Sequence, residues 1–213
     1  GQTFMTGEEQ IGLKTGDPCS FSTWEEFWNA YEIQLTNLLK HAFVQEYNIM
    51  KLRPLHFACP LNSVLHDLCM ESCIDLHQNR IPGGIDIGFI DVIGYATAAD
   101  SLAAIKKLVF EDKTLTMKQV IDALRSNFEG KEVIRQMMLH APKYGNNDPY
   151  VDNIAQDITR VYLEYAKQHS HELGIHVDPR MVPVTGHVSL GKSTGATPNG
   201  RIAGFPLSDG ASA

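Results

Sequence analysis

Cysteine is scarce in this 213-residue chain: Cys19, Cys59, Cys69 and Cys73 are the only four. That density excludes a small disulfide-stapled secreted scaffold and favours reduced thiols in a cytosol. Positive charge is also short, since 18 Lys and Arg against 25 Asp and Glu leave a net charge of −7. Nucleic acid and anionic membrane both require a basic patch to neutralise phosphate, so neither is expected as a partner. The apolar runs are interrupted well before the roughly 20 residues of a membrane-spanning helix, and no charged-then-apolar secretory start is present. Internal repeats, linkers and low-complexity tracts are missing as well. What is there, 43% hydrophobic residues, suits one globular domain with a sizeable core, soluble and cytoplasmic. The first residue is Gly1 rather than Met, and the chain stops in Gly210-Ala-Ser-Ala213 with neither a capped helix nor a closing strand. Both ends are expected to be cut.

Helical patterns dominate. Ser22 and Glu25 have capping-box spacing ahead of Trp24, Phe27, Trp28, Tyr31, Leu35, Leu38, Leu39 and Ala42, which predicts a long amphipathic helix with an aromatic face that packs into a core. Pro54 and Pro60 break the next segment. Pro60 suits the first position of a helix carrying Leu61, Val64, Leu65, Leu68 and Cys69. Pro82-Gly-Gly84 followed by alternation from Ile85 to Ile93 predicts a loop and a short, buried strand. Further helices are expected over residues 99–110, over 117–128 behind a Thr116–Gln119 capping box, and over 131–140. A last one is expected from Asp148 as N-cap to near Gly174.

The tail carries two incompatible patterns. Gly186-His-Val-Ser-Leu-Gly191-Lys192-Ser193 satisfies G-x-x-x-x-G-K-[ST], whose backbone N–H groups and lysine cradle nucleotide phosphates. That loop needs a helix after it, yet Thr194 to Pro206 holds three glycines and two prolines. Val188 and Leu190 alternate instead, so residues 182–190 are expected to form a strand running into a turn. Two strands so far apart cannot satisfy their own edges and are expected to pair with strands outside this chain.

From Gly191 the tail reads G-K-x-T-G-A-T-P-N-G-R-x-A-G-x-P-L-x-D-G-A-S. It resembles the segment shared by the glycyl radical enzymes, which include pyruvate formate-lyase, glycerol and propanediol dehydratases, choline trimethylamine-lyase, arylacetate decarboxylases and benzylsuccinate synthase. Three further stretches resemble the same family in the same order. They are Thr15-Gly-Asp-Pro18 ahead of Phe21-Ser-Thr-Trp-Glu-Glu-Phe-Trp28, then Ala99 to Lys113, then Ala141-Pro-Lys-Tyr-Gly-Asn-Asn-Asp-Pro-Tyr-Val-Asp152. Together the four cover nearly the whole chain.

The resemblance implies an α/β fold, part of a ten-stranded α/β barrel, mostly helical in this fragment. It implies chemistry that begins when a cysteine thiyl radical removes a hydrogen atom from a small-molecule substrate. The glycyl radical is installed after translation by a radical S-adenosylmethionine activating enzyme, the subunit is a homodimer, and no organic cofactor or metal is bound. Neither the family's cysteine loop nor its R-V-x-G-[YFW] glycyl loop is in this sequence. By family order the first lies upstream of Gly1 and the second downstream of Ala213. The dehydratase/lyase branch is the first choice, with arylacetate decarboxylases and fumarate-adding succinate synthases as alternatives. Gly84-Ile-Asp-Ile-Gly-Phe-Ile-Asp91 departs from the Gly-Gly-Ala-x-Tyr-Asn-like loop common in dehydratases. The reading from another class is a non-catalytic truncated or structural module.

Within the chain, Glu71 is the candidate catalytic residue. It follows an apolar helix face beside Cys69 and Cys73, where desolvation would fit it for acid or base work; the competing reading is a surface glutamate. His66, Cys69, Cys73 and His77 fall on one helical stripe, but eleven residues of straight helix span about 16 Å and zinc ligands must converge on a point. Buried structural thiols are the better account. His171-Glu172-Leu-Gly-Ile-His176 has one residue too many for H-E-x-x-H. Asp17, Asp148 and Asp152 are read as turn and cap residues. Arg201, between glycine-bearing turns, is read as a structural anchor, with carboxylate binding as the alternative.

Overall fold

The computed structural model describes residues 12–78, 87–173, 176–182 and 185–210. In chain order the elements are α1 (Trp24–His56), α2 (Pro60–Ser63), α3 (Asp67–Ser72), β1 (Ile87–Asp91), α4 (Tyr95–Ile105), α5 (Met117–Arg125), α6 (Glu132–His140), α7 (Pro149–Leu173), β2 (His176–Arg180) and α8 (Gly186–Ser193). Short 3-10 turns lie at Pro18–Ser20 and Leu76–Gln78, and α4 continues into a π turn over Lys106–Glu111. The molecule is mostly helical with a small parallel sheet in which β1 pairs with β2.

The chain divides into two compact units. The first comprises Gly1–Asn37, Asp91–Val161 and Met181–Ala213. Its core is built by α4, an alanine-rich helix with Ala96, Ala99, Ala103 and Ala104 buried, and by the Val151, Ile154 and Ile158 face of α7. Tyr95 ties the two helices together, its hydroxyl donating to the Ala155 carbonyl at 2.5 Å. A second cluster gathers Leu115, Val120, Ala123, Phe128 and Met138 from α5, α6 and the turns beside them. Each fully buried large side chain here, such as Met138 or Val120, contributes about 1.5–3 kcal/mol of transfer free energy. The aromatic face of α1, expected to be core, is only half-buried, and Leu38, expected on the same stripe, is exposed. Trp24 and Phe27 stack at 5.7 Å, and both lean on Phe110 of the π turn.

The second unit comprises Leu38–Ile90 and Tyr162–Arg180. Phe43, Ala166 and Val177 form its buried centre. The ring of Tyr165 meets Phe43 edge-on and stacks on His169 at 3.8 Å. Glu46, buried on α1, accepts the Phe89 N–H of β1 at 3.3 Å.

Several expectations need correction. The α1 capping box is one residue later than the spacing suggested: the Glu26 N–H donates to Thr23 Oγ1 at 3.2 Å and Glu26 accepts the Ser22 and Thr23 N–H groups. Both S-x-x-E and T-x-x-E fit the sequence, and the second pair forms. The helix expected from Pro60 onward is two short ones, broken after Ser63, with Cys73 left-handed at the end of α3 (φ 54°). Residues 186–190 belong to helix α8 rather than to a strand, and the second strand is His176–Arg180. Burial in α8 follows a helical period, since His187, Leu190, Gly191 and Thr194 turn inward. An eight-residue run fits either period; packing chose the helix. β1 pairs with β2 inside the chain, a strand pairing the spacing had not suggested. The expected strand is half confirmed, because Phe89 is exposed and residues 79–86 lie outside the described residues.

Candidate functional site

Glu71 stands on the last turn of the six-residue helix α3, exposed to solvent. A polar knot beneath it fixes the segment. The Asp75 carboxylate accepts the Cys59 N–H at 2.8 Å on Oδ2 and the His77 N–H at 2.9 Å on Oδ1. The Ser63 hydroxyl lies 2.9 Å from Asp75 Oδ2 and accepts the Leu76 N–H at 2.9 Å. His77 Nδ1 meets the Phe57 carbonyl at 2.6 Å. Backbone N–H bonds, the one to His77 first among them, hold the Asp75 carboxyl below the usual carboxylate range, because they favour its charged form. Periodicity could not have found Asp75; its signal is an Asp in a loop two residues before His77, an Asx-turn spacing.

The His66–His77 stripe does not lie on one helix: His66 caps α3 at its start, Cys73 is left-handed at its end, and His77 belongs to the following 3-10 turn. Cys69 is buried, Cys73 exposed and Cys59 between the two. Among the described residues no three His, Cys, Asp or Glu side chains are gathered as a metal shell. His171 and Glu172 lie on α7 and His176 on β2, so the H-E-x-x-H look-alike is divided between two elements. The side chains of residues 171–176 lie outside the described residues.

The phosphate-loop look-alike is a helix from end to end. Gly186 opens α8 and Lys192 lies in its last turn. Six residues at 1.5 Å each put the lysine roughly 9 Å along the axis from the N-terminal N–H groups. A phosphate cradle requires loop N–H groups and the lysine around one anion, and this arrangement separates them. Gly191 is required for another reason: a Cβ there would overlap the Phe205 carbonyl and crowd Pro206.

Arg201 ties the tail into a knot. Its Nε donates to Thr197 Oγ1 at 3.1 Å, and Nη1 to the Ile202 and Phe205 carbonyls at 3.2 and 2.7 Å. Nη2 donates to the carbonyls of Thr194, at 3.3 Å, and Gly195. All five guanidinium donors are thereby engaged within the tail, and burial lowers the group's pKa. Further on, Thr97 and Ser208 exchange two hydrogen bonds, each hydroxyl accepting the other's N–H at 3.0 and 2.9 Å. The tail is thus fastened to α4.

Residues Ala141–Asp152 wrap the start of α7. Asp148 caps it, accepting the Tyr150 N–H at 3.0 Å, and Asp17 likewise accepts the Cys19 N–H at 3.0 Å. Asp152 caps nothing. It lines a cavity of about 460 Å³ with Tyr95, Tyr144, Asn147 and Gln156. Buried Asp100, on α4, accepts the Tyr144 N–H at 2.7 Å. Burial pushes its carboxyl up, opposed by that hydrogen bond and by the charge of Lys143. The Lys143 ammonium donates to the Met138 and Ala141 carbonyls at 2.7 and 3.0 Å, closing the end of α6.

Known proteins resemble this chain along its length. It is 55% identical over 213 residues to the isethionate sulfite-lyase of Oleidesulfovibrio alaskensis, covering 100% of this chain and 26% of that protein. The trans-4-hydroxy-L-proline dehydratase of Clostridioides difficile is 36% identical over 208 residues, 96% of this chain and 26% of that protein. The crystal structure of the C. difficile hydroxyproline dehydratase, with trans-4-hydroxy-L-proline bound, superposes with a TM-score of 0.84 at 35% identity, over 94% of this chain and 25% of that one. The glycerol-bound B12-independent glycerol dehydratase of Clostridium butyricum gives 0.83 at 30% identity, over 94% and 25%. The chain spans about a quarter of the length of these relatives. Residues 2–191 match the family described as pyruvate formate lyase-like, and the chain therefore belongs to the pyruvate formate lyase-like family of glycyl radical enzymes.

Proposed function

We propose that this chain is part of a glycyl radical lyase that releases sulfite from a small hydroxysulfonate. The observation that carries this reading is the spread of identity. Against isethionate sulfite-lyases it is 52–55% along the whole chain, and against the hydroxyproline dehydratase 36%. In the full-length protein this stretch forms part of the ten-stranded α/β barrel. The subunit is a cytoplasmic homodimer whose partner is a radical S-adenosylmethionine activating enzyme. A thiyl radical, renewed by a backbone glycyl radical, supplies hydrogen-atom abstraction from loops outside these residues. Within them Glu71 is the proposed acid or base that moves a proton as the bond breaks. The Arg201 knot holds the tail as a fixed wall, with its donors spent on backbone carbonyls.

The test is activation of the full-length subunit with its reduced activating enzyme and S-adenosylmethionine, followed by parallel assays on isethionate, trans-4-hydroxy-L-proline and glycerol. Sulfite release from isethionate alone is expected. Normal radical content with turnover only of hydroxyproline or glycerol would overturn the assignment.

A further inference from the structure

The cavity at the start of α7 has no part in the chemistry proposed above. Tyr95, Tyr144, Asn147, Asp152 and Gln156 line it, and its volume of about 460 Å³ falls within the range of small-molecule sites. Its polar groups are unspent. Among the described residues the Asp152 carboxylate and the Asn147 and Gln156 amides take part in no side-chain hydrogen bond or ion pair. Lys143, one residue before Tyr144, gives its ammonium to the Met138 and Ala141 carbonyls instead. The charge of Asp152 nevertheless reaches the cavity wall: burial first, with Asp152 among the lesser causes, pushes the Tyr95 phenol up against the opposing hydrogen bond to Thr159. The Tyr95 hydroxyl is spent on the Ala155 carbonyl, which leaves its ring as lining, and Tyr144 meets that ring edge-on at 5.7 Å.

One carboxylate, two amide oxygens and two aromatic rings are the complement of a singly charged cation that carries N–H groups. The oxygens accept its hydrogen bonds, and the rings attract its charge. An anion would be repelled by Asp152. Calcium is a poorer match, because it takes about six to eight oxygen ligands and this cavity supplies a single carboxylate. We propose that the cavity binds a small organic molecule through a primary ammonium group, which donates to Asp152 and to the amide oxygens of Asn147 and Gln156 while its carbon chain lies against Tyr95 and Tyr144. Neither Glu71 nor the sulfite-lyase reading enters this proposal.

The experiment is a calorimetric titration of the full-length subunit, before activation, with n-butylammonium chloride at constant ionic strength; 1-butanol is the neutral counterpart. Saturable binding of the ammonium ion is expected, with the alcohol at least about tenfold weaker, the worth of a hydrogen bond to a charged group. Asp152→Asn keeps the shape and removes the charge, so it should weaken the ammonium ion by about the same factor and leave the alcohol unchanged. Absence of saturable binding, equal binding of the alcohol, or full affinity in Asp152→Asn would each overturn the proposal. Should that variant fail to fold, Gln156→Ala, at an exposed position of α7, removes one acceptor and is expected to weaken binding about twofold to tenfold; unchanged affinity there would overturn it equally. Titration before activation needs no radical and no turnover, so its result stands whether or not sulfite is released from isethionate.

Discussion

Glu71 and Asp100 are the carboxylates with the most to test, and their surroundings are opposite. Glu71 is exposed on α3, so its proposed chemistry depends on what covers that helix in the whole subunit. Glu71→Gln preserves shape and removes titration. In the activated full-length protein, turnover is expected to fall by about 10²–10⁴, the range of a lost general acid or base, with the electron paramagnetic resonance signal unchanged. Near-normal turnover would return Glu71 to an ordinary surface role. Asp100 is only 6% exposed, and burial raises its pKa above the ordinary value. A raised folded-state pKa gives stability that is full below the unfolded value of about 3.9 and is lost as pH rises through the folded one. Asp100→Asn keeps an acceptor for the Tyr144 N–H without the ionisation. Urea melts at a series of pH values from 4 to 7 should therefore show stability falling more with pH in the wild type than in the variant.

Element by element, the chain's spacing foretold existence better than identity. The Thr116 capping box of α5 forms in full, with the Gln119 N–H donating to Thr116 Oγ1 at 3.2 Å and the Thr116 N–H to Gln119 Oε1 at 2.8 Å. Local side-chain bonds of that kind are written in sequence order and need no distant partner. For α8 the alternation of Val188 and Leu190 pointed to a strand, and the contact that decided otherwise is the Phe205–Leu207 segment lying on Gly191. Gly191→Ala should cost about 1–3 kcal/mol through overpacking, measurable as a lowered denaturation midpoint in the full-length subunit. An unchanged midpoint would mean that the tail is free to move away. The break between α2 and α3 was equally hidden, because Leu61, Leu65 and Leu68 continue a helical period across it. The Asp75 knot, which stops that period, involves residues 12 to 16 positions away.

For the whole molecule, the stretch resembles a quarter of a glycyl radical enzyme structure. Incubated by itself with reduced activating enzyme and S-adenosylmethionine, the 213-residue chain is expected to show no glycine-centred doublet by electron paramagnetic resonance and no turnover. A doublet would require a radical site within these residues. The sequence by itself determined the family, because four ordered motifs survive as letters whatever surrounds them. It also determined α7 and the start of α1, whose apolar periods run for several turns, and the caps at Asp17, Asp148 and Thr116, although α1 runs through Pro54, where a break was expected, to His56. Tertiary structure alone decided that residues 186–193 are helical, that His176–Arg180 pairs with Ile87–Asp91, and that the α2–α3 face points outward. The division follows from range: a cap or a long amphipathic period is fixed by neighbours a few residues away, whereas a short run that fits two periods takes the one its distant contacts stabilise.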